Sequence, residues 1–222
     1  MRHEDDEGGQ GVMVTDGGSQ IPAATVERVS EAPAVSQRVI DEDGHAVEIF
    51  PLPTDEGTLE RVLRELFEVH WDKIVFGPII QGAAWEFQAP HAPTHVGVLD
   101  GYLTVAFGAP HFHLCIGPTK GSRTNPTPPE LAEHRRCSQA EFFRRLDRTG
   151  TPSSWGLRLW NGHGEQQATI VLPNPFLSTD GTKVLREPDW SRLALWDEMR
   201  SRYAGIQGPD PVDRSGTGFR HD

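Results

Sequence analysis

Residues 110–117 read PHFHLCIG. Two imidazoles and a thiol, His111, His113 and Cys115, alternate with Phe112, Leu114 and Ile116. A period of two is the mark of a strand, in which successive side chains point to opposite faces. Phe112, Leu114 and Ile116 therefore form a core-facing row, and His111, His113 and Cys115 share the other face. A helix would scatter both sets around its axis, so the stretch reads as a half-buried strand.

Outward from this strand, residues 102–107 form a second one, preceded by Asp100-Gly101, a hairpin-turn dipeptide. Residues 74–88 hold one long strand or two short ones around Gly77-Pro78. Residues 155–173, WGLRLWNGHGEQQATIVLP, read as a hairpin whose tip is residues 161–164. Three helices accompany them. Residues 54–72 place Leu59, Val62, Leu63, Leu66, Phe67 and His70 on one stripe, with Thr54 or Asp55 as cap. Residues 137–147, CSQAEFFRRLD, open with Ser138 and Glu141 at the spacing of a capping box and are expected to be helical. Residues 187–205 give a last helix capped by Asp189, with Trp190, Leu193, Trp196 and Tyr203 on its apolar side and Gly205 as the stop. The order of elements predicts an α+β fold: a single domain with an antiparallel sheet and helices packed on one face.

Composition sets the limits of that domain. Hydrophobic residues make up 36% of the 222 positions, and the six tryptophans all lie between Trp71 and Trp196. The formal net charge is -11, yet residues 1–48 carry eleven acids against only Arg2, Arg28 and Arg38. The expected organisation is a flexible, disordered acidic arm over residues 1–45, the α+β domain over 46–205 and a flexible tail over 206–222. No basic face is left for phosphate backbones, which argues against a nucleic-acid partner. There is no apolar stretch long enough to span a bilayer, no positively charged leader ahead of an apolar run, and only two cysteines. A cytoplasmic protein without membrane partners is the expectation. Nucleotide-binding glycine fingerprints, Gly-x-Ser-x-Gly elbows and Cys-x-x-Cys pairs are all missing, so no nucleotide cofactor is expected.

The chemistry is expected on the polar side of the sheet. In residues 79–88, IIQGAAWEFQ, the same alternation sends Ile79, Ala83, Trp85 and Phe87 to the core, and Gly82, Ala84 and Glu86 to the other face. Gly82 and Ala84 are small and leave a hollow beside Glu86. Two histidines and one carboxylate, His111, His113 and Glu86, make the ligand set of non-haem Fe(II) oxygenases. Zn(II) accepts the same atoms and is the second choice. Cys115, His91 and His95 are the reserve ligands; Cys115 lies roughly 13 Å along an ideal strand from His111, so joining it requires a bulge. Arg158 and Trp160, outward-facing in the hairpin, are the candidates to hold an anionic small-molecule substrate. A solvated strand also produces His-x-His, and Glu86 on the matching face is what lifts the pattern above that plainer account.

The expectation is a small metal-dependent enzyme, an oxidoreductase with Fe(II) first. A zinc hydrolase or lyase is the alternative in chemistry. The alternative in class is a metal- or haem-binding or homodimerisation module that uses the same polar face.

Overall fold

Leu114 and Ile116 are buried and Phe112 packs against the core, while His111 and His113 are exposed. The alternation in PHFHLCIG thus sorts its faces as the sequence predicts. A computed structural model describes residues 36–218 except 42, 43 and 81. The arm expected over residues 1–45 lies outside the described residues up to position 35.

In chain order the elements are β1 (Gln37–Ile40), β2 (Ala46–Leu52), α1 (Glu56–Arg64), β3 (Val75–Gly77), β4 (Ile79–Ile80) and β5 (Ala83–Ala84). Then come β6 (His95–Leu99), β7 (Tyr102–Ala106), β8 (His111–Cys115), β9 (Gly121–Ser122), β10 (Asn125–Pro126) and α2 (Pro129–Arg135). The chain finishes with β11 (Gln139–Leu146), β12 (Pro152–Trp160), β13 (Gln166–Val171) and α3 (Ala194–Ala204). Among the described residues the fold is α+β, a single domain with antiparallel sheets and three α-helices.

The strands form two main sheets. Six of them pair in the order β1-β2-β11-β12-β13-β3, and β6-β7-β8 make a separate three-stranded meander. Register in the large sheet sets Phe50, Phe142, Leu157, Ile170 and Phe76 in one cross-strand row. Trp196 of α3 packs on this row, 5.5 Å from Phe50 and 6.1 Å from Phe142 between ring centroids. The π-helical turn Glu65–Val69, which prolongs α1, packs there too. Its Phe67 lies 4.8 Å from Phe76 of the large sheet and 5.2 Å from Phe112 of the small one. One buried aromatic therefore ties the two sheets together, and a single core cluster runs through both.

The helix signals at the two ends act as the sequence indicates. Asp55 accepts a hydrogen bond from the Thr58 amide at 2.9 Å and starts α1, whose Leu59, Val62 and Leu63 are buried. Asp189 accepts from the Ser191 amide and starts the 3-10 turn ahead of α3, and Gly205 ends α3 at φ 71°. Asp100 and Gly101, both at positive φ, make the two-residue turn between β6 and β7.

Residues 137–147 differ from their helical reading. Gln139–Leu146 is β11, paired with β2 on one side and β12 on the other. Ser138, expected to cap a helix, donates its hydroxyl to the Asn161 carbonyl at 2.6 Å, and Glu141 pairs with Arg158. Two complete ladders outweigh a local helix preference, as tertiary context commonly does with weak propensities. In place of the expected single sheet, the described strands form two main sheets and two two-stranded ones, so strands sharing a parity need not share a surface. Two segments outside the expected 46–205 domain make contacts with it. β1, exposed along its length, pairs with β2 inside the stretch assigned to the arm. In the stretch read as a tail, the 3-10 turn Pro211–Arg214 carries Asp213, which is 0% exposed.

Candidate functional site

The β6-β7-β8 meander builds its outer face row by row. Pairing places His95, Ala106 and His111 in one cross-strand row, and Gly97, Thr104 and His113 in the next. The opposite face, with Val96, Leu103, Val105, Phe112 and Leu114, belongs to the core. Three imidazoles therefore share one exposed end of a rigid three-stranded sheet, separated by small side chains.

Each of the two imidazoles on β8 is held through Nδ1. His111 Nδ1 lies 2.9 Å from the Ala109 carbonyl, which can only accept, so Nδ1 carries the proton. His113 Nδ1 lies 2.7 Å from the Thr104 hydroxyl. Neither Nε2 has a hydrogen-bond partner among the described residues. This matches metal-binding histidines, whose second ring nitrogen is held by a carbonyl or other polar group that fixes the ring. The ring centroids stand 5.2 Å apart at an interplanar angle of 74°. Two imidazoles on one tetrahedral ion, with metal–nitrogen bonds of about 2.0–2.1 Å, put their ring centres roughly 5 Å apart.

Two more histidines flank this pair. His95 folds back over Gly97: a Cβ built on Gly97 would lie 2.7 Å from His95 Nε2. His91 donates from Nδ1 to the Ala92 carbonyl at 2.8 Å, since a carbonyl can only accept. Its ring lies 6.3 Å from Phe107, whose amide bonds to the Pro110 carbonyl in the turn leading into β8. As the side chains stand, no three His, Cys, Asp or Glu residues among the described residues converge tightly enough to hold an ion.

The remaining expected site residues lie elsewhere. Glu86 does not join the histidines; it lines a crevice with Val75, Trp85, Thr169 and Val171 at the edge of the large sheet. Cys115 shares the histidine parity but is roofed over, 4% exposed, with its carbonyl taken by the Cys137 amide at 2.8 Å. Burial pushes its thiol above the ordinary range, the reverse of what a thiolate ligand needs. Arg158 and Trp160 sit on the far face of the large sheet. The guanidinium pairs with the buried Glu141 at 2.6 Å and lies over the rings of Phe143 and Trp160, at 4.5 and 5.1 Å. Its charge is matched inside the fold by Glu141.

A second polar cluster escaped the sequence reading. His134 at the end of α2 donates from Nε2 to Glu165 at 2.8 Å and stacks on His163 with centroids 3.6 Å apart and planes 8° from parallel. The hydrogen bonds from His134 and then Asn161 hold the Glu165 carboxyl below its usual value. His163 lies in the hairpin tip, where Asn161 Oδ1 accepts its amide. The signal for α2 was present in PPELAEHRR: proline at the first turn, an acid after it, and basic residues at the end.

The loop GPTKGSRT, which superficially resembles a phosphate cradle, is closed from within. The Lys120 and Gly121 amides donate to the Asp100 carboxylate at 2.7 and 2.9 Å, and these bonds hold that carboxyl below its usual value.

Fold and site together define an α+β protein that carries a histidine cluster at the end of a small antiparallel sheet. The chain belongs to the family of unknown function DUF7676, which matches residues 36–205. That span runs from β1 through α3 and includes His91, His95, His111 and His113. No curated protein matches the chain.

Proposed function

We propose that this protein binds a divalent transition-metal ion at the open end of the small sheet, with His111 and His113 as its ligand pair. The observation that carries the reading is the pinning of both Nδ1 atoms, which leaves two unpartnered Nε2 atoms on rings 5.2 Å apart. The strand fixes the backbone of both ligands, so only the imidazole torsions adjust on binding. The ligand chemistry also bears on the choice of ion. With Glu86 in another part of the fold, the donors at hand are imidazoles, which suit zinc and copper better than the two-histidine, one-carboxylate set of Fe(II) enzymes. Because the site lies on an exposed sheet end, positions not filled by histidine stay open to water or a small-molecule ligand. That openness is what catalytic metal sites have and closed structural sites lack.

The test is thermal unfolding of untagged, chelator-treated protein with and without one equivalent of Zn(II), Cu(II) or anaerobic Fe(II). A ligand that binds only the native state raises the melting temperature by mass action. The expected result is a rise with Zn(II) or Cu(II) that vanishes in His111→Ala/His113→Ala. An equal rise in that double variant would place the metal elsewhere and end the proposal.

A further inference from the structure

We infer that His70 is an acid-sensitive joint, which holds the π-helical turn Glu65–Val69 against α3 while its imidazole is neutral and loosens that contact on protonation. His70 closes the π-helical turn and opens the 3-10 turn Trp71–Lys73, at φ -119° and ψ 19°. It is 8% exposed, and among the described residues its buried Nδ1 has no hydrogen-bond partner. Nε2 stands 4.0 Å from the Glu65 carboxylate, too far for a hydrogen bond. That carboxylate is engaged by α3: Tyr203 donates its hydroxyl to it at 2.6 Å, and Arg202 forms an ion pair with it. Arg202 also pairs with Glu198 at 2.7 Å. Besides Glu65 and Glu198, the charged groups facing the imidazole are Asp72 and Lys73 of the 3-10 turn. The inference is independent of the metal-binding reading above.

A neutral imidazole suits this setting, because a bare Nδ1 then forgoes a single hydrogen bond. A protonated imidazole is a donor at both nitrogens. Its Nδ1–H would be a buried, charged donor without an acceptor, the costliest kind of unmade hydrogen bond. Among the described residues, Glu65 is the carboxylate within 4.0 Å of Nε2, and turning it to the imidazolium draws it away from Tyr203 and Arg202. Protonation therefore either strands a charge in the core or loosens the hold of Glu65 on α3. Electrostatics act in the same direction. Burial first, and then the Lys73 ammonium, keep the imidazole below its ordinary 6.5, against the opposing pull of Glu198, Glu65 and Asp72. A lowered histidine contributes its stability in full above 6.5 and loses it as pH falls through the folded value. π-Helical turns are frequent at functional irregularities, and this one ends on the titrating residue.

The experiment follows urea unfolding of the untagged full chain and of His70→Leu, which keeps the bulk and cannot titrate, from about pH 7.5 to about pH 5, across the histidine range. The unfolding constant of wild type relative to His70→Leu should rise towards acid by up to about 10-fold per pH unit, the limit for one linked proton. In the wild type, the NMR signal of the His70 Cε1 proton should titrate with a midpoint below 6.5. Glu65→Gln should lower that midpoint further, since it removes the counter-charge nearest Nε2. Amide exchange in α3, corrected for its intrinsic pH dependence, should accelerate relative to β11 at about pH 5.5 in wild type and not in His70→Leu. A constant ratio of the two unfolding constants, or a midpoint at or above 6.5, would overturn the inference. Should His70→Leu fail to fold, the wild-type midpoint and its α3 exchange decide the matter. A midpoint unmoved by Glu65→Gln would overturn the part given to Glu65, and unaltered α3 exchange in acid would overturn the loosening of α3.

Discussion

Replacing Asp213 by alanine tests the account of how the C-terminal segment is held. The carboxylate is 0% exposed and accepts hydrogen bonds from Arg144 Nη1 at 2.7 Å, Trp155 Nε1 at 2.9 Å and Trp196 Nε1 at 2.8 Å. Arg200, itself fully buried, has Nη1 at 3.7 Å. Truncation strands two indole N–H groups in the core, and each unsatisfied buried donor costs about 1–3 kcal/mol. It also leaves buried guanidinium charge without one of its counter-ions, and breaking a buried pair from one side costs about 3–5 kcal/mol. Arg144 keeps Glu48 at 2.6 Å and Asp210 at 2.9 Å, so these costs overlap and do not simply add. The expected loss is about 3–5 kcal/mol overall. At roughly 2–4 °C per kcal/mol for a chain of this size, the melting temperature should fall by roughly 6–20 °C. Urea unfolding followed by circular dichroism at pH 7 gives the free energy directly, and Asp213→Asn, which keeps the shape and one acceptor, should lose less. A loss below about 1 kcal/mol, the scale of an exposed ion pair, would refute the reasoning, because it would mean that the carboxylate is not buried among these donors.

Three further outcomes follow from the same structure. Gly162→Ala should cost about 1–3 kcal/mol as an overpacking change, since a Cβ there would lie 2.1 Å from the Glu133 carbonyl oxygen, which is backbone and cannot yield; unchanged ring-current shifts of His134 and His163 by proton NMR would contradict this. Burial alone would raise the Asp210 carboxyl, but the Val212 amide and the Arg144 guanidinium outweigh it and hold the group below its usual 3.8. A depressed carboxyl stabilises the fold above its unfolded value and loses that contribution as pH falls through the folded one, so urea midpoints should drop below about pH 4 and drop less steeply in Asp210→Asn. Burial pushes the Cys137 thiol up to about 11, so iodoacetamide at pH 8 should leave it unmodified in the native protein and label it in urea; rapid native labelling would show that the thiol is accessible.

Parts of the fold were legible because local chemistry and tertiary role coincide. Asp55, Gly205 and Asp100-Gly101 each satisfy a backbone requirement that no distant residue changes, and the two faces of β8 follow from parity alone. β11 was misread for a physical reason. It is a central strand covered on both faces, so Phe142 and Phe143 are both buried and Arg144 is only 4% exposed. The burial of that arginine depends on Asp213, far along the chain, and nothing local distinguishes it from a solvated helical position. The candidate site was half legible. Parity put His111 and His113 on one face, but parity is silent on which sheet a strand joins, and Glu86 with matching parity lies at the edge of the other sheet. His95 entered as a reserve ligand, and its fold-back over Gly97 is a pairing fact that only the meander reveals. His134 and Glu165 come together because α2 packs against the β12–β13 turn, a contact between segments with no shared local pattern.

Isothermal titration of metal-free, untagged protein with Zn(II) reads the histidine site itself. Wild type should bind one ion per chain, His111→Ala and His113→Ala should lose it, and Glu86→Gln and Cys115→Ser should bind as wild type does. Binding that survives both histidine substitutions, or that disappears with Glu86→Gln, would contradict the assignment of the site.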